Sequence, residues 1–129
     1  MTEAVQPAGS DDPIDRETYA RLLEMTGGDQ AFVDDLVDTY LVDATDQLAA
    51  LDAAIALADA AALTRPAHSL KSSSLNVGAL GLGELCRELE QQGRAGETAG
   101  AAERVAGAHR LFEGVRSTLM ARRAGNAGA

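Results

Sequence analysis

Between Phe32 and Ile55 the apolar residues recur at spacings of three and four: Phe32, Val33, Leu36, Val37, Tyr40, Leu41, Ala44, Leu48, Leu51 and Ile55. That period belongs to one face of an α-helix, because the inward positions of a strand alternate with a period of two. The aspartates of this stretch lie between these positions. A helix of this length with one apolar face must bury it against other elements, and the remaining chain offers more helices to do so.

Upstream, Pro13 precedes a short helix with Asp15 as its N-cap and Tyr19, Leu22 and Leu23 on its buried side. Gly27-Gly28 ends that helix, and Asp29 caps the long one. Ala56–Ala58 is a weak break, and Asp59 is placed to cap a third helix. Pro66 removes a backbone donor and crowds the preceding turn, so the sequence predicts either a kink there or a helix restart near Arg65. Gly78, Gly81 and Gly83 mark the next turn, and Leu82, Leu85, Cys86 and Leu89 give a fourth helix its stripe. Gly93, Gly96 and Gly100 are expected to form a loose loop. A last helix begins near Glu97 or Ala101 and runs to Arg122, with Val105, Ala108, Phe112, Val115 and Leu119 inward. The sum is an all-α fold, an antiparallel up-down four-helix bundle with a short extra N-terminal helix. Residues 1–12 are expected to form a flexible lead, 13–123 the bundle and 124–129 a flexible tail.

Composition supports helices packed through small residues. Aromatics are 3% of the 129 residues, whereas hydrophobic residues are 46% and mostly Ala, Leu and Val. The net charge of −9 argues against nucleic acid, whose phosphates demand clustered Lys and Arg. Eight aspartates and no basic residue lie between Asp29 and Asp59. They read as a solvated face that favours solubility, or alternatively as a means of steering a partner. The single cysteine, Cys86, excludes an internal disulfide framework and fits a core thiol in a reducing compartment. The first residues lack the basic start and apolar core of a secretory signal, and no apolar run approaches a membrane span. A cytoplasmic location is expected.

On a helical wheel through the third helix, Leu63, Ala67, Leu70, Ser74 and Val77 share the inward stripe. His68 falls on the opposite side, with Thr64, Lys71, Ser72 and Leu75 as its neighbours. By position alone such a histidine is usually inert. A neutral exposed imidazole nitrogen is, however, able to accept a phosphoryl group and release it, given a cation close by and steric room for a partner. Lys71 supplies the cation, and Ser72 and Ala79 the room. Lys71 is also the only lysine among eleven basic residues, a compact ammonium in a chain that otherwise uses arginine.

The string His68-Ser69-Leu70-Lys71, the serines after it and Asn76-Val77-Gly78-Ala79 resemble the signature of histidine-containing phosphotransfer (HPt) domains. The likeness extends to Leu85–Glu90, and upstream to Ile14-Asp15 and Gly27-Gly28-Asp29, so that it covers roughly residues 14–120. It implies a monomeric helical bundle that relays phosphate between response-regulator receiver domains in a multistep two-component phosphorelay, with a hybrid histidine kinase as a possible further partner. His68 would be the phosphoacceptor and Lys71 would steady the phosphoryl group. The family usually has glycine where this chain has Ser72, which bears on how closely a partner docks. The Ser72 hydroxyl has a second possible use, as a hydrogen-bond partner of the imidazole or phosphate.

Glu90, at the edge of the fourth helix's stripe, is within reach of the Nδ1 side of His68 and would orient the ring. A solvated surface carboxylate is the other reading. Arg87 is a rim contact at most, Ser74 is expected to bond a backbone carbonyl, and Gly78 to end a helix or permit close packing. His109 has no carboxylate three residues away, and the chain lacks zinc-site spacing and any Gly-rich phosphate loop. No cofactor or metal is therefore expected on this chain. The Mg²⁺ of the transfer would belong to the receiver, and the domain would act in trans as a carrier rather than an enzyme. The competing function is a non-catalytic interaction module that docks and sequesters a response regulator.

Overall fold

The computed structural model describes residues 12–128, with side chains through Arg123. The lead expected over residues 1–12 therefore lies outside the described residues, except for Asp12. That residue is anchored: its carboxylate accepts from the Ile14 backbone N–H at 3.0 Å and from Arg16 Nε at 3.3 Å.

Helix α1 spans Arg16–Met25. Asp15 caps it through Oδ2, which accepts from the Thr18 N–H at 3.0 Å. Gly27 and Gly28, both at positive φ, turn the chain into α2, Gln30–Ala56. Asp29 caps this helix by accepting from the Phe32 N–H at 3.1 Å. Its buried line runs through Val33, Val37, Tyr40, Ala44, Leu48 and Leu51. Phe32 and Leu36 share the helical period but stay exposed, because each sits one residue, about 100°, off that line.

The break after α2 comes at Leu57 and Ala58, the latter at φ +51°. A short 3₁₀ turn, Ala61–Leu63, precedes α3, Thr64–Val77. Asp59 caps this turn through the Ala62 N–H at 3.2 Å rather than capping α3 itself. The chain thus restarts its helix near Arg65 and places Pro66 in the first turn, where a backbone donor has no intrahelical acceptor to lose.

The corner after α3 is tighter than the glycine spacing suggests. Gly78 ends the helix at φ +92°, and a Cβ there would lie 2.9 Å from the Asp15 carbonyl oxygen. The Asp15 N–H donates to the Gly78 carbonyl at 2.7 Å, which ties the N-terminal segment to this corner. Helix α4 already begins at Leu80 and continues to Ala95, so Gly81, Gly83 and Gly93 lie inside it rather than in turns. Gly96, at φ +72°, closes α4. Helix α5 runs from Ala101 to Gly128. Its backbone is helical through Gly128, past the end expected near Arg122.

Short connections make consecutive helices antiparallel neighbours. Helix α2 packs on α3, α3 on α4, α4 on α5, and α5 returns to α2, which closes a four-helix bundle; α1 lies against α2 and α3. The core is mostly Leu, Val and Ala from all five helices, with Ile14 buried beneath α1. Tyr40 meets Phe112 edge-on with ring centroids 6.2 Å apart. Ser74 shares a hydrogen bond with the Tyr40 hydroxyl at 2.9 Å, so this core hydroxyl pairs across helices rather than with a backbone carbonyl. Ser73 is the serine that bonds back along α3, to the Ser69 carbonyl at 3.1 Å. Burial pushes both Tyr40 and the Cys86 thiol up to about 12, so both remain protonated at neutral pH.

Candidate functional site

The inward stripe of α3 is Leu63, Ala67, Leu70, Ser74 and Val77, all buried. One step around the wheel, the His68 side chain is 56% exposed. Helix α4 comes close beside it because two glycines face α3. A Cβ on Gly93 would sit 2.5 Å from Thr64 Oγ1 and 3.0 Å from the Ala60 carbonyl oxygen and the Thr64 nitrogen. At Gly83, a Cβ would meet the Leu75 side chain at 2.5 Å. Gly83, Cys86, Glu90 and Gly93 recur at intervals of three and four and so share one face of α4. Small residues on either side of Glu90 let its side chain reach the third helix.

Glu90 is 5% exposed and lies against three partners. Its Oε2 accepts from His68 Nδ1 at 3.0 Å and from Arg94 Nη2 at 2.6 Å. Its Oε1 accepts from Lys71 Nζ at 2.8 Å. Hydrogen bonds from Lys71 and then Arg94 hold this carboxyl well below the usual range, at about 2, against the opposing effect of burial. An ionised carboxylate only accepts hydrogen bonds, so Nδ1 must carry the ring proton. In the neutral imidazole the lone pair then lies on Nε2, the nitrogen that does not face Glu90. The site therefore presents a nucleophilic nitrogen on an exposed ring, with an ammonium one helical turn further on.

Of the other positions singled out in the sequence, Ser72, Leu75 and Arg87 are exposed and Thr64 is half-buried against Gly93. The imidazole's hydrogen bond goes to Glu90 and not to the Ser72 hydroxyl. Arg87 pairs with Glu84 on its own helix. Ala79 must be withdrawn as a contact: it is fully buried at the N-cap of α4 and offers a partner no surface. Glu90 is no solvated surface carboxylate, since the glycines beside it bring α3 over it. Arg94 was missed, although it lies four residues after Glu90, the spacing at which an acid and a base meet on a helix.

The family model described as Hpt domain matches residues 35–119, from α2 through most of α5. The chain belongs to the Hpt family. Among solved structures, this Hpt domain resembles histidine-containing phosphotransfer protein B (HptB) from Pseudomonas aeruginosa PAO1, with a TM-score of 0.80 and 34% sequence identity. That match covers 86% of this chain and 94% of the other. No curated protein sequence matches the chain. Hpt domains serve histidine phosphotransfer in phosphorelays, where they meet receiver domains and kinases. Among the described residues, no helix is long and apolar enough to cross a membrane.

Proposed function

We propose that this Hpt domain carries phosphoryl groups between receiver domains, with His68 Nε2 as the acceptor. The single observation that carries the assignment is the His68–Glu90 hydrogen bond, which places the proton on Nδ1 while the ring stays exposed. In the transfer, the Nε2 lone pair attacks the phosphorus of a receiver's phosphoaspartate. The N–P bond forms, the P–O bond to the aspartate breaks, and the aspartate leaves as a carboxylate. The ring gains positive charge while Nδ1 keeps its proton, and the Glu90 carboxylate stabilises that charge. Reversal onto a second receiver regenerates the neutral imidazole.

Lys71 lies one turn from His68 on α3 and faces the incoming phosphoryl oxygens once it turns from Glu90. Thr64, Ser72, Leu75 and Arg87 form the rim that a receiver would meet, with Ser72 setting how closely it approaches. The receiver supplies the Mg²⁺ and the aspartate. Among the described residues, no group of three or more His, Cys, Asp or Glu side chains is arranged to hold a metal. In this reading the protein acts in the cytoplasm as a monomer and as a carrier, not an enzyme.

The test mixes the protein with a phosphorylated receiver and Mg²⁺ beside its His68→Gln variant. An acid-labile, base-stable label on the wild type alone supports the relay. Equal receiver binding with no label on either protein would favour sequestration. Lys71→Ala should keep its helicity and slow transfer by about 10- to 100-fold, the loss of one charge-assisted hydrogen bond in the transition state.

A further inference from the structure

Glu90 distributes its partners unevenly between its two oxygens. His68 Nδ1 and Arg94 Nη2 share Oε2, whereas Lys71 Nζ alone takes Oε1. Lys71 can therefore leave the carboxylate without disturbing the bond that orients the imidazole. The two cations also come from different helices. Lys71 rides on α3 with His68, three residues on, while Arg94 reaches Glu90 from the next turn of α4. Motion of Lys71 toward a group on Nε2 leaves the Arg94 contact in place.

This matters because Glu90 is nearly enclosed, at 5% exposure. A buried carboxylate stripped of its cations is strongly disfavoured, so with Lys71 as sole counter-ion the ammonium would be tied to Glu90 in the resting state. Arg94 removes that restraint. Its side chain is 65% exposed, so its outer nitrogens remain hydrated while one of them holds the buried oxygen.

We propose that Arg94 is a positioning residue of the transfer: it retains the Glu90 carboxylate while Lys71 swings from Oε1 to the phosphoryl group arriving on His68. Glu90 then acts as the resting dock of the lysine as well as the orienter of the ring. The proposal rests on His68 being the phosphoacceptor. It adds that the lysine has two stations and that an arginine on another helix frees it to move between them.

The experiment measures the single-turnover rate of transfer from a phosphorylated receiver to the full chain, and compares wild type, Arg94→Gln, Arg94→Lys, Glu90→Gln and the Arg94→Gln/Glu90→Gln double variant. Arg94→Gln should slow transfer about tenfold, the loss of one charge-assisted contact at the buried carboxylate, while receiver affinity stays within twofold. Arg94→Lys should recover most of the rate. In the Glu90→Gln background no buried charge needs retaining, so Arg94→Gln should have no further effect. That non-additivity is the signature of action through Glu90. Wild-type rate in Arg94→Gln overturns the proposal. So does an equal tenfold loss in both backgrounds, which would mean that Arg94 touches the phosphoryl group or the receiver directly. Failure of the phosphocarrier reading looks different: the wild type takes no label, or His68→Gln takes it as well.

Discussion

The bundle contains two histidines, and each hydrogen-bonds a carboxylate on another helix. His68 Nδ1 meets Glu90 at 3.0 Å, and His109 Nε2 meets Asp52 at 2.9 Å. Distance does not tell them apart. Asp52 is 54% exposed beside a histidine that is 44% exposed, so water competes for both groups. Glu90 is enclosed between α3 and α4 and held by Lys71 and Arg94, which fixes its ionisation and with it the His68 tautomer. A histidine becomes poised for chemistry when its carboxylate is shielded and charge-balanced. Merely possessing a carboxylate partner is not enough.

The largest expected effect in this comparison concerns the seam that shields Glu90. Gly93→Ala should cost about 1–3 kcal/mol in urea denaturation, because the new methyl meets backbone atoms of Ala60 and Thr64. Gly83→Ala meets the Leu75 side chain, which is 40% exposed and has room to shift, finds the Lys71 carbonyl oxygen at an ordinary 3.6 Å and gains helix propensity, so its stability should stay within about 1 kcal/mol of wild type. Equal losses at the two glycines would show that the seam does not close tightest near Glu90.

Acid titration separates the two pairs next. The Glu90 carboxyl lies at about 2 in the fold, below its ordinary 4.5, so its contribution to stability is fully present above about 4.5. That contribution is lost progressively as pH falls from 4.5 toward 2. The stability difference between wild type and Glu90→Gln should therefore shrink as pH falls below 4.5. A difference that stays constant down to pH 3 would place the Glu90 carboxyl in an ordinary, solvated setting.

The smallest effect belongs to the exposed pair. Asp52→Asn should change stability by about 0–1 kcal/mol, as exposed ion pairs generally do. The same variant, and His109→Gln, should accept label from a phosphorylated receiver at the wild-type rate. A slowed transfer in either would erase the distinction between the two histidines.

Much of the fold was legible in the chain. The caps at Asp15 and Asp29, the glycine stops at Gly27 and Gly78, and the stripe of α3 are local matters, decided within a few residues by hydrogen-bond geometry and helical period. The sequence erred where identity is ambiguous. Glycine marks turns, yet Gly83 and Gly93 sit within α4 for the sake of close packing. Ala79 looked like open space beside the motif, yet it fills the inside of the α3–α4 corner.

By itself, then, the sequence determined the helices and the outward direction of His68, which follow from spacing along each helix, and its residues around His68 carried the resemblance to Hpt domains. Only the tertiary structure decided which carboxylate each histidine meets, that Glu90 is buried, and that Arg94 joins Lys71 on it. Those contacts link residues on separate helices, 22 positions apart for His68 and Glu90 and 57 for Asp52 and His109. The cause is packing: side chains on different helices meet only after the bundle has fixed the separation and rotation of those helices, and no period within a single helix encodes that arrangement.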